Sequence, residues 1–175
     1  MQDNIKRLMA YSTIGGIGYS LLALSVGSSE SFIAALLYIT IYSISVLGCF
    51  TVIVFMEKEN ISLENISDLS GLSKSDTFSA ICFSILLLSL AGLPPLAGFI
   101  GKFYIFRSLI NEGFIWLALI GIIGSVIAAF YYLRVVKIIY LDEVEDPITL
   151  KYNLSAKIIL GVTSFLVLGF LFYAK

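Results

Sequence analysis

Long apolar stretches alternate with short polar ones along the whole chain. The apolar stretches run from Leu8 to Val26, Ser31 to Met56, Thr77 to Asn111, Phe114 to Tyr140 and Leu154 to Tyr173. Polar and charged residues gather before Leu8 and in two loops, 57–76 and 141–153. Each apolar stretch is long enough for a helix to cross about 30 Å of hydrocarbon. None shows the period-two alternation of a barrel strand. The pattern predicts an all-α integral membrane protein, residues 1–175 forming a single membrane domain of about five transmembrane helices.

The third stretch breaks the pattern. As one helix, residues 77–111 would extend roughly 52 Å, well beyond the bilayer core. Inside it stands Gly92-Leu-Pro-Pro95. Proline removes a backbone donor and clashes with the preceding turn, and Leu93 before Pro94 is pushed out of helical geometry. The span is therefore expected to be discontinuous, broken near 92–95. A broken helix at membrane depth must be buried in protein or line a hydrated cavity. Lys102 follows the break and lies nine residues, roughly 14 Å, before the polar end at Asn111 and Glu112. That depth is too great for easy snorkelling, and an ionisable group so placed points to function. Desolvation disfavours the charged form of a lysine, so such a group can gain and lose a proton at working pH.

The remaining spans carry polar features of two kinds. The first, with Tyr11, Ser12, Gly15, Gly16, Gly18 and Tyr19, suits close helix contact inside a bundle. In the second, Tyr38 and Tyr42 share a face, where they either pack against neighbours or line a hydrated path. In the fourth span, Gly121-xxx-Ser125 suits helix packing, and Arg107, near the end of the third, is expected to reach the interface. Ile61, Ile66, Leu69 and Leu72 in the first loop suggest a short surface helix stopped near Gly71.

Composition narrows the chemistry. The chain is 59% hydrophobic and 13% charged, with a formal net charge of −1 and mean hydropathy +0.99. Nothing in this balance suggests nucleic acid. With no histidine, and with Cys49 and Cys82 inside apolar runs, haem, zinc and iron–sulfur ligation are not expected. Lys6, Arg7, Lys58, Lys74, Arg134, Lys137, Lys151 and Lys157 fall on the side of the N-terminus, against Arg107 and Lys175 opposite. The positive-inside bias then puts the N-terminus on the cytoplasmic or matrix side.

Three segments carry a resemblance. Asn4-Ile-Lys-Arg-Leu-Met-Ala-Tyr-Ser-Thr-Ile14 with Gly18-Tyr19, the stretch Leu90-Ala-Gly-Leu-Pro-Pro-Leu-Ala-Gly-Phe-Ile-Gly-Lys-Phe-Tyr104, and Phe130-Tyr-Tyr-Leu-Arg-Val-Val-Lys137 resemble the antiporter-like subunits of respiratory complex I. The Gly-Lys-Phe-Tyr form is similar to the branch of NADH dehydrogenase subunit 2, called N in bacteria. The resemblance implies a proton-translocating subunit of NADH:ubiquinone oxidoreductase, in a fold of fourteen helices with two inverted repeats. This chain matches part of the second inverted repeat plus the terminal helix. The family's proton-carrying lysine of the second broken helix falls on Lys102, and Gly92, Pro94 and Pro95 form the break. Where related subunits carry a lysine and histidines in the second span, this chain has Tyr38, Tyr42 and Val46. Tyr38 and Tyr42, with Tyr11 and Ser12, then become candidates for lining a proton path. No cofactor is expected in this chain; NADH, FMN, iron–sulfur clusters and quinone would belong to other subunits.

Beginning at Met1, the chain lacks the other repeat, so a separate polypeptide carrying the N-terminal helices of the same subunit, as in a split gene, is an expected partner. Other membrane-arm subunits and lipids are expected around it. A Phe- and Tyr-heavy composition, 13 Phe and 10 Tyr, suggests the mitochondrial inner membrane, with a bacterial plasma membrane as the alternative. Two other readings stay open: a subunit of a multisubunit cation/proton antiporter, and a non-catalytic membrane scaffold.

Overall fold

The computed structural model of the protein describes residues 2–55, 57–58, 61–62, 64–142 and 154–173. In chain order these form α1 (Ile5–Leu24), α2 (Ser29–Val54), a two-residue hairpin of β1 (Glu57–Lys58) and β2 (Ile61–Ser62), and a single 3-10 turn (Ile66–Leu69). Then follow α3 (Leu72–Ser75), α4 (Thr77–Ala91), α5 (Ala97–Asn111), α6 (Ile115–Leu141) and α7 (Leu154–Tyr173). Among the described residues the protein is all-helical apart from the hairpin. The acidic segment 143–153 expected as a loop lies outside the described residues.

Local chemistry sets the helix ends. Asn4 caps α1, its Oδ1 accepting from Arg7 N, so the helix begins before Leu8. Ser28 and Ser31 form a reciprocal cap on α2. Asp76 caps α4 by accepting from both the amide and the hydroxyl of Ser79. α2 is the central helix, packed against α1, α4, α5 and α7, while α6 closes over α4. Ala34, Ala35, Ile41, Phe83, Leu86, Leu87, Ile105 and Leu109 fill the space between them.

One region differs from the sequence-based expectation. The segment expected as a surface helix instead folds inward: Ile66, Leu69 and Leu72 are buried, under α4 and α6. A 3-10 turn (Ile66–Leu69) precedes Gly71, whose φ is +72°, and the short α3 follows it. The cause is a long-range tie to the N-terminus, where Ile5 N donates to Glu64 O and Ile66 N to Asp3 O, with a bridge between Asn4 and Asn65. That pairing holds Glu64–Ile66 against the N-terminus and so sets the 3-10 turn beneath α4 and α6. Within this chain α1 buries one face. Tyr11, Ile14, Ile17 and Leu21 are exposed along the other.

The ends of the bundle are clamped by ion pairs. Arg134–Asp3 (2.9 Å) and Lys6–Glu64 (2.8 Å) lie at the N-terminal end. Arg107 meets Glu30 at 3.7 Å at the other, both half-exposed.

Candidate functional site: the broken helix and its lysine

The site begins with the way α4 ends. The last four carbonyls of a helix have no partner within it. Gly92, with φ +81°, turns the chain left-handed so that Gly92 N donates to Ser89 O and Leu93 N to Leu88 O. This is a Schellman arrangement, and it leaves the carbonyls of Leu90 and Ala91 free. The Pro94–Pro95 peptide is cis, and α5 starts at Ala97.

α5 lies very close to the end of α4. A Cβ on Gly98 would stand 1.8 Å from Ser89 O, so no larger residue fits this crossing without backbone movement. The proximity is used: Gly98 N donates to Ser89 Oγ at 3.1 Å, meeting an otherwise orphaned donor in the first turn of α5.

Lys102, in the second turn of α5, reaches back across the break. Its Nζ donates to Leu90 O, Ala91 O and Ser125 Oγ, each at 3.0 Å. The two carbonyls left by the Schellman turn are thus filled by the lysine. The ammonium's three protons are all directed, to two backbone oxygens and one hydroxyl. The Tyr19 ring lies beneath, its centroid 5.2 Å from Nζ, a cation–π contact. Lys102 is 4% exposed. No carboxylate pairs with it among the described residues; the negative end of the α4 dipole takes that place.

Beside the lysine is a cavity of about 730 Å³ between α1, α2 and α6, lined by Lys102, Ser12, Tyr19, Tyr38, Tyr42 and Tyr132 among others. Tyr38 stacks on Tyr42 and meets Tyr19 edge-on. The hydroxyls of Ser12 and Tyr132 are hydrogen-bonded to each other. Tyr42 Oη is buried with no hydrogen-bond partner among the described residues, a group suited to meet water. Of the sequence-predicted residues, Lys102, Tyr38, Tyr42 and Ser12 come together on this cavity. Tyr11 does not; it is 64% exposed and lies on a separate groove with Phe130 and Arg134.

Two residues of the site escape a sequence reading. Tyr19 appears there only as a packing residue. Ser125 looks like half of a small-residue seam, but it holds Lys102 instead, while Gly121 faces Phe106 and Leu22. The available signal was that Ser125 is the only hydroxyl between Leu117 and Phe130.

A helical membrane protein with a discontinuous span and a buried lysine at the break is the class these features define. Residues 1–128 match the family described as NADH:quinone oxidoreductase/Mrp antiporter, TM, and the chain belongs to that family. It is 45% identical over 172 residues to NADH-quinone oxidoreductase subunit N of Rhodospirillum rubrum, covering 98% of this chain and 35% of that protein. A chain of respiratory complex I from Thermus thermophilus superposes with TM-score 0.85 at 29% identity, over 98% of this chain and 38% of the other. A chain of the Mrp complex from Dietzia shares the fold, with TM-score 0.86 at 19% identity over 98% and 40%. The chain spans about a third of the length of the relatives it matches.

Proposed function

We propose that this chain is part of the proton-translocating membrane arm of a complex I-type NADH:quinone oxidoreductase, with Lys102 as the group that holds and releases the proton. The observation that carries this reading is the lysine itself: buried, unpaired with any described carboxylate, and placed between a helix break and a cavity lined by hydroxyls.

Two opposed influences act on the ammonium. The carbonyls and dipole of α4 favour the cation, while burial opposes it. A small outside perturbation, such as a charge brought close or water admitted to the cavity, can then decide which state prevails. Electron transfer on other subunits would deliver that perturbation; NADH, FMN, iron–sulfur clusters and quinone belong there. Tyr38, Tyr42 and Ser12 line the route on the cavity side. Tyr11 sits off it.

Helices of the antiporter-like fold outside this chain, on a second polypeptide, cover the open face of α1 and α6. The aromatic-rich composition supports placement in the mitochondrial inner membrane, with the N-terminus on the matrix side.

Lys102→Met, which keeps most of the apolar stem and removes the proton, is the test. Reconstituted complex carrying it should assemble normally and lose most of its protons moved per electron. A wild-type ratio and turnover would overturn the reading. Sodium-driven proton exchange independent of electron transfer would point to an antiporter instead.

A further inference from the structure

The hydrogen-bond partners around Lys102 Nζ are sufficient for either protonation state. As an ammonium it donates to Leu90 O, Ala91 O and Ser125 Oγ. A neutral amine keeps two N–H donors and gains a free lone pair. The two carbonyls can take those donors, and a serine hydroxyl, donor and acceptor at once, can turn its proton to the lone pair. These bonds weaken when the charge goes, but no partner is left empty. An aromatic ring face behaves differently. Its attraction is to positive charge, so it holds an ammonium and not an amine. Tyr19 supplies that face, its centroid 5.2 Å from Nζ.

The ring is fixed where it stands. Tyr19 Oη donates to Gly121 O at 3.1 Å. Tyr38 and Phe106 meet the ring edge-on, with centroids 5.8 and 6.1 Å away. A Cβ on Gly124 would stand 3.3 Å from Tyr19 Oη, so the small residues of α6 make room for this tyrosine. Tyr19 is buried and lines the cavity together with Lys102. A cation–π contact is stronger in such a desolvated place than at an exposed surface.

We infer that Tyr19 sets how firmly Lys102 holds its proton, its ring being the side chain at Nζ that distinguishes the ammonium from the amine. The inference rests on the proton-holding role proposed above for the lysine. No covalent bond changes at the tyrosine. When the proton leaves, the attraction of the ring is lost while the three hydrogen-bond partners remain; when it returns, the attraction returns with it. An aliphatic side chain in place of the ring should lower the ratio of charged to neutral lysine about twofold to thirtyfold, the span of a cation–π contact from exposed to desolvated. Pumping turnover should fall by up to the same factor.

The experiment varies the charge distribution of the ring at almost constant shape. Tyr19→Phe and its mono-, di- and trifluorinated forms are built into the intact complex and reconstituted into liposomes, beside Tyr19→Leu and Lys102→Met. Protons per electron and turnover are read together. Each fluorine draws electron density from the ring face and weakens its hold on a cation. Tyr19→Phe loses the bond to Gly121 O, but that carbonyl keeps its place in the α6 ladder, so this variant should pump close to wild type. Turnover should then fall stepwise with fluorination, and Tyr19→Leu should be as low as the most fluorinated ring. A packing role predicts a flat series, because fluorine changes the volume little. A flat or rising series beside a failing Lys102→Met overturns the role of Tyr19 and leaves that of the lysine intact. Tyr19→Phe as impaired as Tyr19→Leu also overturns it, since the hydroxyl and not the ring would then matter. Wild-type pumping in Lys102→Met overturns both. Should Tyr19→Leu fail to assemble, the fluorinated series, all of one shape, decides alone.

Discussion

At Gly92 one residue performs two tasks. Its positive φ ends α4 so that the Leu90 and Ala91 carbonyls remain for the lysine. Its missing side chain leaves room for the stem of Lys102, because a Cβ there would lie 2.8 Å from Lys102 Cδ. Gly92→Ala therefore carries two penalties. The left-handed backbone costs an L-residue about 1–2 kcal/mol, and the methyl displaces Nζ from the two carbonyls. Gly113 separates them, since it also has positive φ, +84°, but nothing lies within 4 Å of its Cβ position. Gly92→Ala should reduce proton pumping several-fold in assembled complex, whereas Gly113→Ala should cost a similar strain and leave pumping unchanged. Equal pumping in the two variants would detach the lysine's position from Gly92.

Between elements, the folded-back segment ahead of α3 is tied to α1 by paired backbone and by one carboxylate. Hydrogen bonds from Lys6 and Asn4 hold the Glu64 carboxyl below the usual carboxylate range. A carboxyl depressed in the folded state stabilises it above its unfolded value, and that contribution is lost as pH falls through the folded value. Acidification below the ordinary carboxylate range should therefore loosen this latch. Hydrogen exchange at the Ile5 and Ile66 amides, which donate to Glu64 O and Asp3 O, should rise beyond the intrinsic pH effect. Glu64→Gln should remove the pH dependence; an unchanged acid response in that variant would assign the loosening to another group.

This latch also shows where the sequence stops being legible. Span lengths, the break at Gly92-Leu-Pro-Pro95 and the exceptional depth of Lys102 all follow from local rules: run length, proline sterics and the cost of a buried charge. The inward fold of Ile66, Leu69 and Leu72 depends on pairing with residues some 60 positions earlier, which no helical periodicity encodes. The Lys102–Ser125 bond joins residues 23 apart on different helices, and Tyr19 reaches the same place from α1. Such contacts exist only once the helices have packed.

For the whole molecule, physical chemistry decides what can cover the cavity. The cavity beside Lys102 opens between α1 and α6, and its rim carries Ile120 and Leu21, both exposed. Lipid tails would satisfy that rim. They would not satisfy Tyr42 Oη, which has no hydrogen-bond partner among the described residues, because an unmet polar group in hydrocarbon costs several kcal/mol. Protein must therefore cover the opening if the site is to hold water without flooding the membrane. Further helices of the antiporter-like fold, packed on the open faces of α1 and α6, meet that requirement. Cysteines introduced at Leu21 and Ile120, on the rim, should then be shielded from a lipid-soluble maleimide in the native membrane complex. Full labelling of both in the assembled complex would show that lipid alone can close the cavity, against the energetic argument.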